Sequence, residues 1–193
     1  MAGNRPSTGL NVHTVQEATN KLAQRKVIRV SPTLAAAATG DTAGDVLVNL
    51  AEIPNAVLTP GGCSALWNCN VMDYTDLQGT SYDMLILFHQ HNAANFGSLD
   101  ASASISDANL KLNKILGGMT LDRSAGDTED LIDSAILNEC ENLNSTTTGP
   151  RPVYLQAEEG SNSVYFSVIQ MSVARGTPDW DTGDLEFIFH IDY

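Results

Sequence analysis

The stretch "TPDWDTGDLEFIFHIDY" at residues 177–193 has two physical readings, and the choice between them decides the fold. Asp179, Asp181 and Asp184, with His190 beyond them, form either an oxygen-rich metal loop beside an imidazole or a polar turn that feeds a β-strand. A calcium loop of the helix-loop-helix kind needs D-x-[DN]-x-[DN]-G and a Glu at its twelfth position. Here Gly183 stands where an acid or Asn belongs, Asp184 where Gly belongs, and His190 at the twelfth place. A turn needs only an Asp that bonds its own backbone and a Gly free to take positive φ, and both are present. Past the turn, Leu185, Phe187, Phe189, Ile191 and Tyr193 alternate with Glu186, Ile188, His190 and Asp192. That period of two predicts a half-buried strand with one continuous apolar face.

The same period recurs upstream. "RKVIRVSPTL" opens the strand signal, and "AAAATGDTAG" follows it as a loop of small residues. In "DVLVNLAEIPNAVLTPGG", Val46, Val48 and Leu50 alternate with Leu47 and Asn49; Pro54 interrupts the pattern, marking an edge or a break between two strands, and "TPGG" (59–62) turns the chain. "CSALWNCNVMDY" predicts Ala65, Trp67, Cys69 and Val71 on one face, with Leu66, Asn68, Asn70 and Met72 on the other. "SYDMLILFHQHN" is the strongest strand, with Met84, Ile86 and Phe88 opposite Leu85, Leu87, His89 and His91. "PVYLQAEEGSNSVYFSVIQMSVAR" reads as two strands joined into a hairpin by "EEGSNS". One helix is expected at "SISDANLKLNKILGG": Ser106 caps it, Asp107 meets its dipole, and Ile105 and Leu110 staple its entry. Gly117 and Gly118 are expected to stop it. "DTEDLIDSAILNECENL" (127–143) fits helix or strand. Short strands with one crossover helix point to a mainly β fold, a β-sandwich of the jelly-roll kind over residues 27–193. A polar arm over residues 1–26 precedes it, with Val12, Val15, Ala18 and Leu22 at helical spacing.

Composition narrows the function. The 193 residues carry 23 acidic against 10 basic side chains, a formal net charge of −13. Such a surface repels phosphate backbones and acidic bilayers, so neither nucleic acid nor membrane is an expected partner. Cys63, Cys69 and Cys140 are odd in number and lack metal-ligand spacing, which predicts reduced and mostly buried thiols. The opening residues contain no apolar run of the signal-peptide kind, and no 18-residue apolar span follows. A reducing cytosol is the expected site of folding.

Catalytic patterns are sparse. His89 and His91 are two residues apart, a spacing that on a strand puts both imidazoles on one side about 7 Å apart. Cupin enzymes use such a pair with a following Glu and a distant third His. "HQHNAANFG" supplies no acid, Asp83 replaces that family's Gly, and His190 lacks its Pro-x-Gly-x-x-His setting. No G-x-S-x-G, G-x-G-x-x-G or phosphate loop occurs. Asn144-Ser145-Thr146 matches a glycosylation sequon only by pattern. Neither a catalytic set, a cofactor nor a metal is expected, and an enzyme is not the reading. Trp180, beside Pro178, is the one obvious candidate for an exposed recognition aromatic, and a ring folded over the core is the expected alternative.

The segments "RVSPTL…GDVLVNLAEIPNAVLTPGGCSALWNCNVMDYTDLQGTSYDMLILF", the helix start "ISDA" and the closing "RGTPDWDTGDLEFIFHIDY" resemble a family of small structural proteins of tailed bacteriophages. The likeness runs from about residue 27 to the end, with "HQHNAANFGSLDASAS" as an insert. It implies a virion protein of the capsid decoration, or cement, kind. Such a protein is made in the bacterial cytoplasm and carried on the capsid exterior, with the major capsid protein and copies of itself, in a homotrimer, as partners. A tail or fibre component that meets the host is the alternative, with a cupin-like metalloenzyme behind it.

Overall fold

The computed structural model describes residues 25–34, 42–75, 81–122, 128–130, 135–143, 151–175 and 180–193. The arm at 1–24, most of the 35–44 loop, Asp179 and the 144–146 sequon lie outside them. In chain order the elements are β1 (Arg25–Val30), β2 (Val46–Ile53), β3 (Cys63–Asp73), β4 (Ser81–His89), α1 (Asp107–Asn113) and β5 (Ile115–Asp122). They continue with β6 (Thr128–Asp130), β7 (Ile136–Glu139), β8 (Glu141–Asn142), β9 (Val153–Gln156), β10 (Val164–Arg175) and β11 (Leu185–Asp192). The first strand thus begins at Arg25, where the strand signal "RKVIRVSPTL" opens, inside the segment assigned to the arm.

The strands form two antiparallel sheets, which together make a β-sandwich. One has six strands in the order β1-β11-β3-β7-β6, with β9 pairing the far end of β3; the other has five, β2-β10-β4-β5-β8. Four pairings are nested in sequence: β1 with β11, β2 with β10, β3 with β9, and β4 with β5. Such nesting arises when a long hairpin of chain is wound around a core.

The closing strand follows its sequence pattern except at Ile188, which is expected outward and is buried. Leu185, Phe187, Phe189 and Ile191 are buried, while Glu186, His190 and Asp192 look outward. Phe166 of β10 meets Phe187 and Phe189 of β11, each ring centroid 5.1 Å away, so the centre of the sandwich is an aromatic contact between the sheets. Each fully buried side chain of this size contributes about 1.5–3 kcal/mol relative to exposure. Met84, Ile86 and Phe88 of β4 complete the inner face, as their alternation predicts.

Three expectations are corrected. β9 and β10 do not form a hairpin: they belong to different sheets, and 157–163 is a crossover. Its backbone bonds the 56–62 loop, through Ala157 N–H to Gly62 O, Val57 N–H to Asn162 O and Gly61 N–H to Ser161 O, and these bonds hold the crossover in place of a ladder. Gly117 and Gly118 do not end the helix either. Lys114 caps it in the left-handed region, with φ 50°, and the two glycines sit inside β5 opposite Phe88 and Leu87. A Cβ on Gly118 would stand 2.9 Å from the Ile86 carbonyl oxygen and 2.7 Å from Leu143, so close approach explains the residue type. The third correction concerns β3, whose alternation slips midway. Ser64 and Leu66 are buried, then Cys69, Val71 and Asp73. His190 pairs with Asn68 and Ile191 with Leu66, so Trp67 is the extra residue of a β-bulge. The expected common face of Ala65, Trp67, Cys69 and Val71 is split there, and Trp67 is expelled to the surface, 47% exposed.

The ambiguous 127–143 segment resolves into β6, β7 and β8 among its described residues. The insert at 89–104 lies across the five-stranded sheet. Asn49 donates to Gly97 O at 2.7 Å and accepts from Phe96 N–H, while isolated bridges join Asp45 to Ser102 and Val46 to Leu99. Asn113, at the end of α1 and fully buried, fixes its start: its Oδ1 accepts from Ala93 N–H and Ala94 N–H, and its Nδ2 donates to Ala94 O. Asn113→Leu removes all three bonds and strands two amides, so a loss of about 2–4 kcal/mol is expected in urea denaturation. An unchanged midpoint would show that the insert is held by something else.

Candidate functional site: the outer face of the six-stranded sheet

The outward side chains of β1, β11, β3 and β9 line up in cross-strand rows. Arg25, Asp192, Ala65 and Tyr154 form one row; Val27, His190 and Asn68 form the next. The bulge sets Trp67 between them, where Arg25, Val27, Trp67, Asn68, His190 and Asp192 border a groove of about 310 Å³. Bulges commonly re-aim a side chain in this way.

Charges on this face are neutralised in pairs. Arg25 Nε lies 3.2 Å from Asp192 Oδ1, and Arg29 Nη1 2.6 Å from Glu186 Oε2. Tyr74 also donates its hydroxyl to Glu186 at 3.0 Å; that bond, more than burial, pushes the phenol's pKa up. Asn68 Nδ2 donates to Glu139 Oε1 at 3.0 Å. Beside the arginines, whose side chains stay 85% and 56% exposed, the face leaves apolar and aromatic groups open: Val27, Trp67 and Tyr74 are about half exposed, and Tyr154 is 71% exposed.

The histidines are dispersed. His89 is fully buried at the end of β4, its ring 5.0 Å from Phe96 of the insert, and neither ring nitrogen has a hydrogen-bond partner. Burial alone lowers its pKa to about 4. His91 lies beyond the strand, with Nδ1 3.2 Å from Glu158 Oε1 in a shallow pocket beside Tyr165. His190 is in the groove of the other sheet. Among the described residues no three His, Cys, Asp or Glu side chains converge into a set able to hold a metal ion.

The aspartates of the closing stretch make the expected turn. Asp181 N–H donates to Asp184 Oδ2 at 2.7 Å, Asp184 N–H returns to Asp181 O at 3.0 Å, and Gly183 takes φ +108°. Trp180 is buried, and its indole N–H donates to Asp73 Oδ2 at 3.3 Å, which agrees with a ring folded over the core. Of the three free cysteines, Cys69 and Cys140 are buried, whereas Cys63 is exposed. Among the described residues no helix is long and apolar enough to cross a membrane.

The exposed indole is therefore Trp67, which the alternation pattern places on the same face as Cys69 and Val71. One signal in the sequence marks the slip: Leu66 and Cys69 are three residues apart and cannot both face inward from an unbroken strand. No family model, curated protein or solved structure matches the chain.

Proposed function

We propose that this chain is a structural virion protein of a bacteriophage, a decoration protein that binds the capsid exterior and reinforces the junctions between capsid subunits. The observation that carries this reading is the outer face of the six-stranded sheet. On a chain of net charge −13, this face holds both of its arginines in ion pairs with Asp192 and Glu186 and leaves Val27, Trp67, Tyr74 and Tyr154 uncovered. Interface centres have this composition, depleted of unpaired charge and enriched in Tyr and Trp. The nested strand pairing supports a jelly-roll winding, a compact body suited to sit on a shell. In this role the partners are the major capsid protein and two further copies around a three-fold position, where a closed ring satisfies every interface. The acidic remainder of the surface keeps the protein away from packaged nucleic acid.

A second reading, a tail or fibre component that attaches to the host, is favoured by one observation. The Trp67 groove sets a flat apolar ring among Asn68, His190 and Asp192, a recognition surface for a small polar ligand. Binding to emptied capsid shells, followed by co-sedimentation of the native chain and of Trp67→Asp and Tyr154→Asp variants, separates the two.

A further inference from the structure

We propose that Cys69 and Cys140 form a disulfide when the folded protein meets an oxidising medium, stapling the β7–β8 segment to β3. The register of the ladder carries the argument. Asn70 pairs with Glu139, so the next residues out, Cys69 and Cys140, stand opposite each other, and Cys140 N–H donates to Cys69 O at 2.9 Å. Opposed hydrogen-bonded residues of an antiparallel pair have Cα atoms about 5.5 Å apart. That spacing lies within the Cα range a disulfide spans, about 4.4–6.8 Å, while the Cβ atoms of such a pair, about 5.5 Å apart, must draw in to about 4 Å as the bond forms. Both side chains are buried and belong to the same core cluster. Cys63, six residues earlier, is exposed and pairs with Gln156, so its position on the ladder gives it no cysteine partner.

The placement gives the bond a purpose. β7 belongs to the six-stranded sheet and β8 to the five-stranded one, with Cys140 between them, so this segment bridges the two layers at one side of the sandwich. A bond there closes a loop of about 70 residues and restricts the unfolded chain accordingly. The chemistry is a dithiol oxidation: one cysteine thiolate attacks a small-molecule disulfide such as oxidised glutathione and releases one glutathione thiol. The second cysteine displaces the other, so two protons and two electrons pass from the protein to glutathione. Burial raises the Cys69 pKa, so the thiolate is scarce and the bond forms slowly in the native state.

The test incubates the full chain with oxidised glutathione, with and without a low urea concentration, and maps cysteines by alkylation and non-reducing peptide mass spectrometry. The expected result is a peptide pair joining Cys69 to Cys140, a loss of two hydrogens in mass, and a Tm higher by roughly 10 °C. Cys63→Ser should retain both effects and Cys140→Ser should lose both. The native chain decides the matter even if Cys140→Ser folds poorly. Cys69 and Cys140 left open to alkylation after refolding in the same buffer would overturn the proposal, as would either one bonded to Cys63.

Discussion

Phe166→Ala is expected to cost about 3–5 kcal/mol of folding stability, the largest effect of any single truncation considered. Phe166 is fully buried, and its ring meets Phe187 and Phe189 across the sandwich at 5.1 Å each. Alanine removes the ring's transfer free energy and leaves a cavity that two strands held in ladders on both sides cannot close. β10 pairs with β2 and β4, and β11 with β1 and β3. The measurement is a urea transition, with the midpoint falling and the slope unchanged. Trp67→Ala is the matched control. It deletes a larger ring, but one standing outside the core, and should change stability by less than about 1 kcal/mol. Equal losses at the two sites would mean that the bulge in β3 is misplaced and Trp67 belongs to the core.

The second large effect is a dependence on pH. In the unfolded chain the imidazole of His89 takes up a proton near pH 6.5, whereas in the fold burial delays this to about 4. Between these values the unfolded state binds more protons, so stability falls as the pH falls. The contribution of neutral His89 is present in full above pH 6.5 and is lost progressively toward pH 4. A shift of this size corresponds to about 3 kcal/mol. His89→Leu keeps the shape against Phe96 and removes two nitrogens that have no partner. At pH 7 the variant should be as stable as the native chain or more so. At pH 4.5 it should exceed the native chain by about 2–3 kcal/mol, read from urea transitions at both pH values. Parallel pH profiles for the two proteins would place a proton acceptor or water beside His89 and remove this account of it.

How far the sequence reaches depends on whether a segment obeys one period. In β11 and β4 the inward sets, Leu185 to Ile191 and Met84 to Phe88, are readable from the residues alone, although Ile188 and His89 of the opposite sets are buried as well. The turn at 181–184 was equally legible, because its Asp and Gly have one role in a turn and fail the calcium pattern. β3 was not, since a single extra residue reverses every side chain beyond it and leaves composition unchanged. The pairing of β9 and β10 with different sheets was hidden for another reason. The 157–163 connection has the turn residues of a hairpin, and only its bonds to the remote 56–62 loop show that it crosses between layers.

The candidate site was largely illegible on the same grounds. Its bordering residues come from β1, β3 and β11, elements up to 167 residues apart in number, from Arg25 to Asp192. The aromatic that the sequence offers for an exposed loop, Trp180, is buried against Asp73. Spacing alone pairs His89 with His91, but His89 turns under the insert while His91 faces Glu158. No local period reports which cross-strand neighbours share a face.

The most direct test of the proposed role is co-sedimentation of the chain with emptied shells of the phage's major capsid protein. The native protein should pellet with the shells at a fixed ratio to capsid subunits. Trp67→Asp and Tyr154→Asp, each placing a charge on the aromatic face, should lower that binding at least tenfold while keeping the folding stability within about 1 kcal/mol of the native chain's. Native-like binding by both variants, or no binding by the native chain, would contradict attachment through the six-stranded sheet.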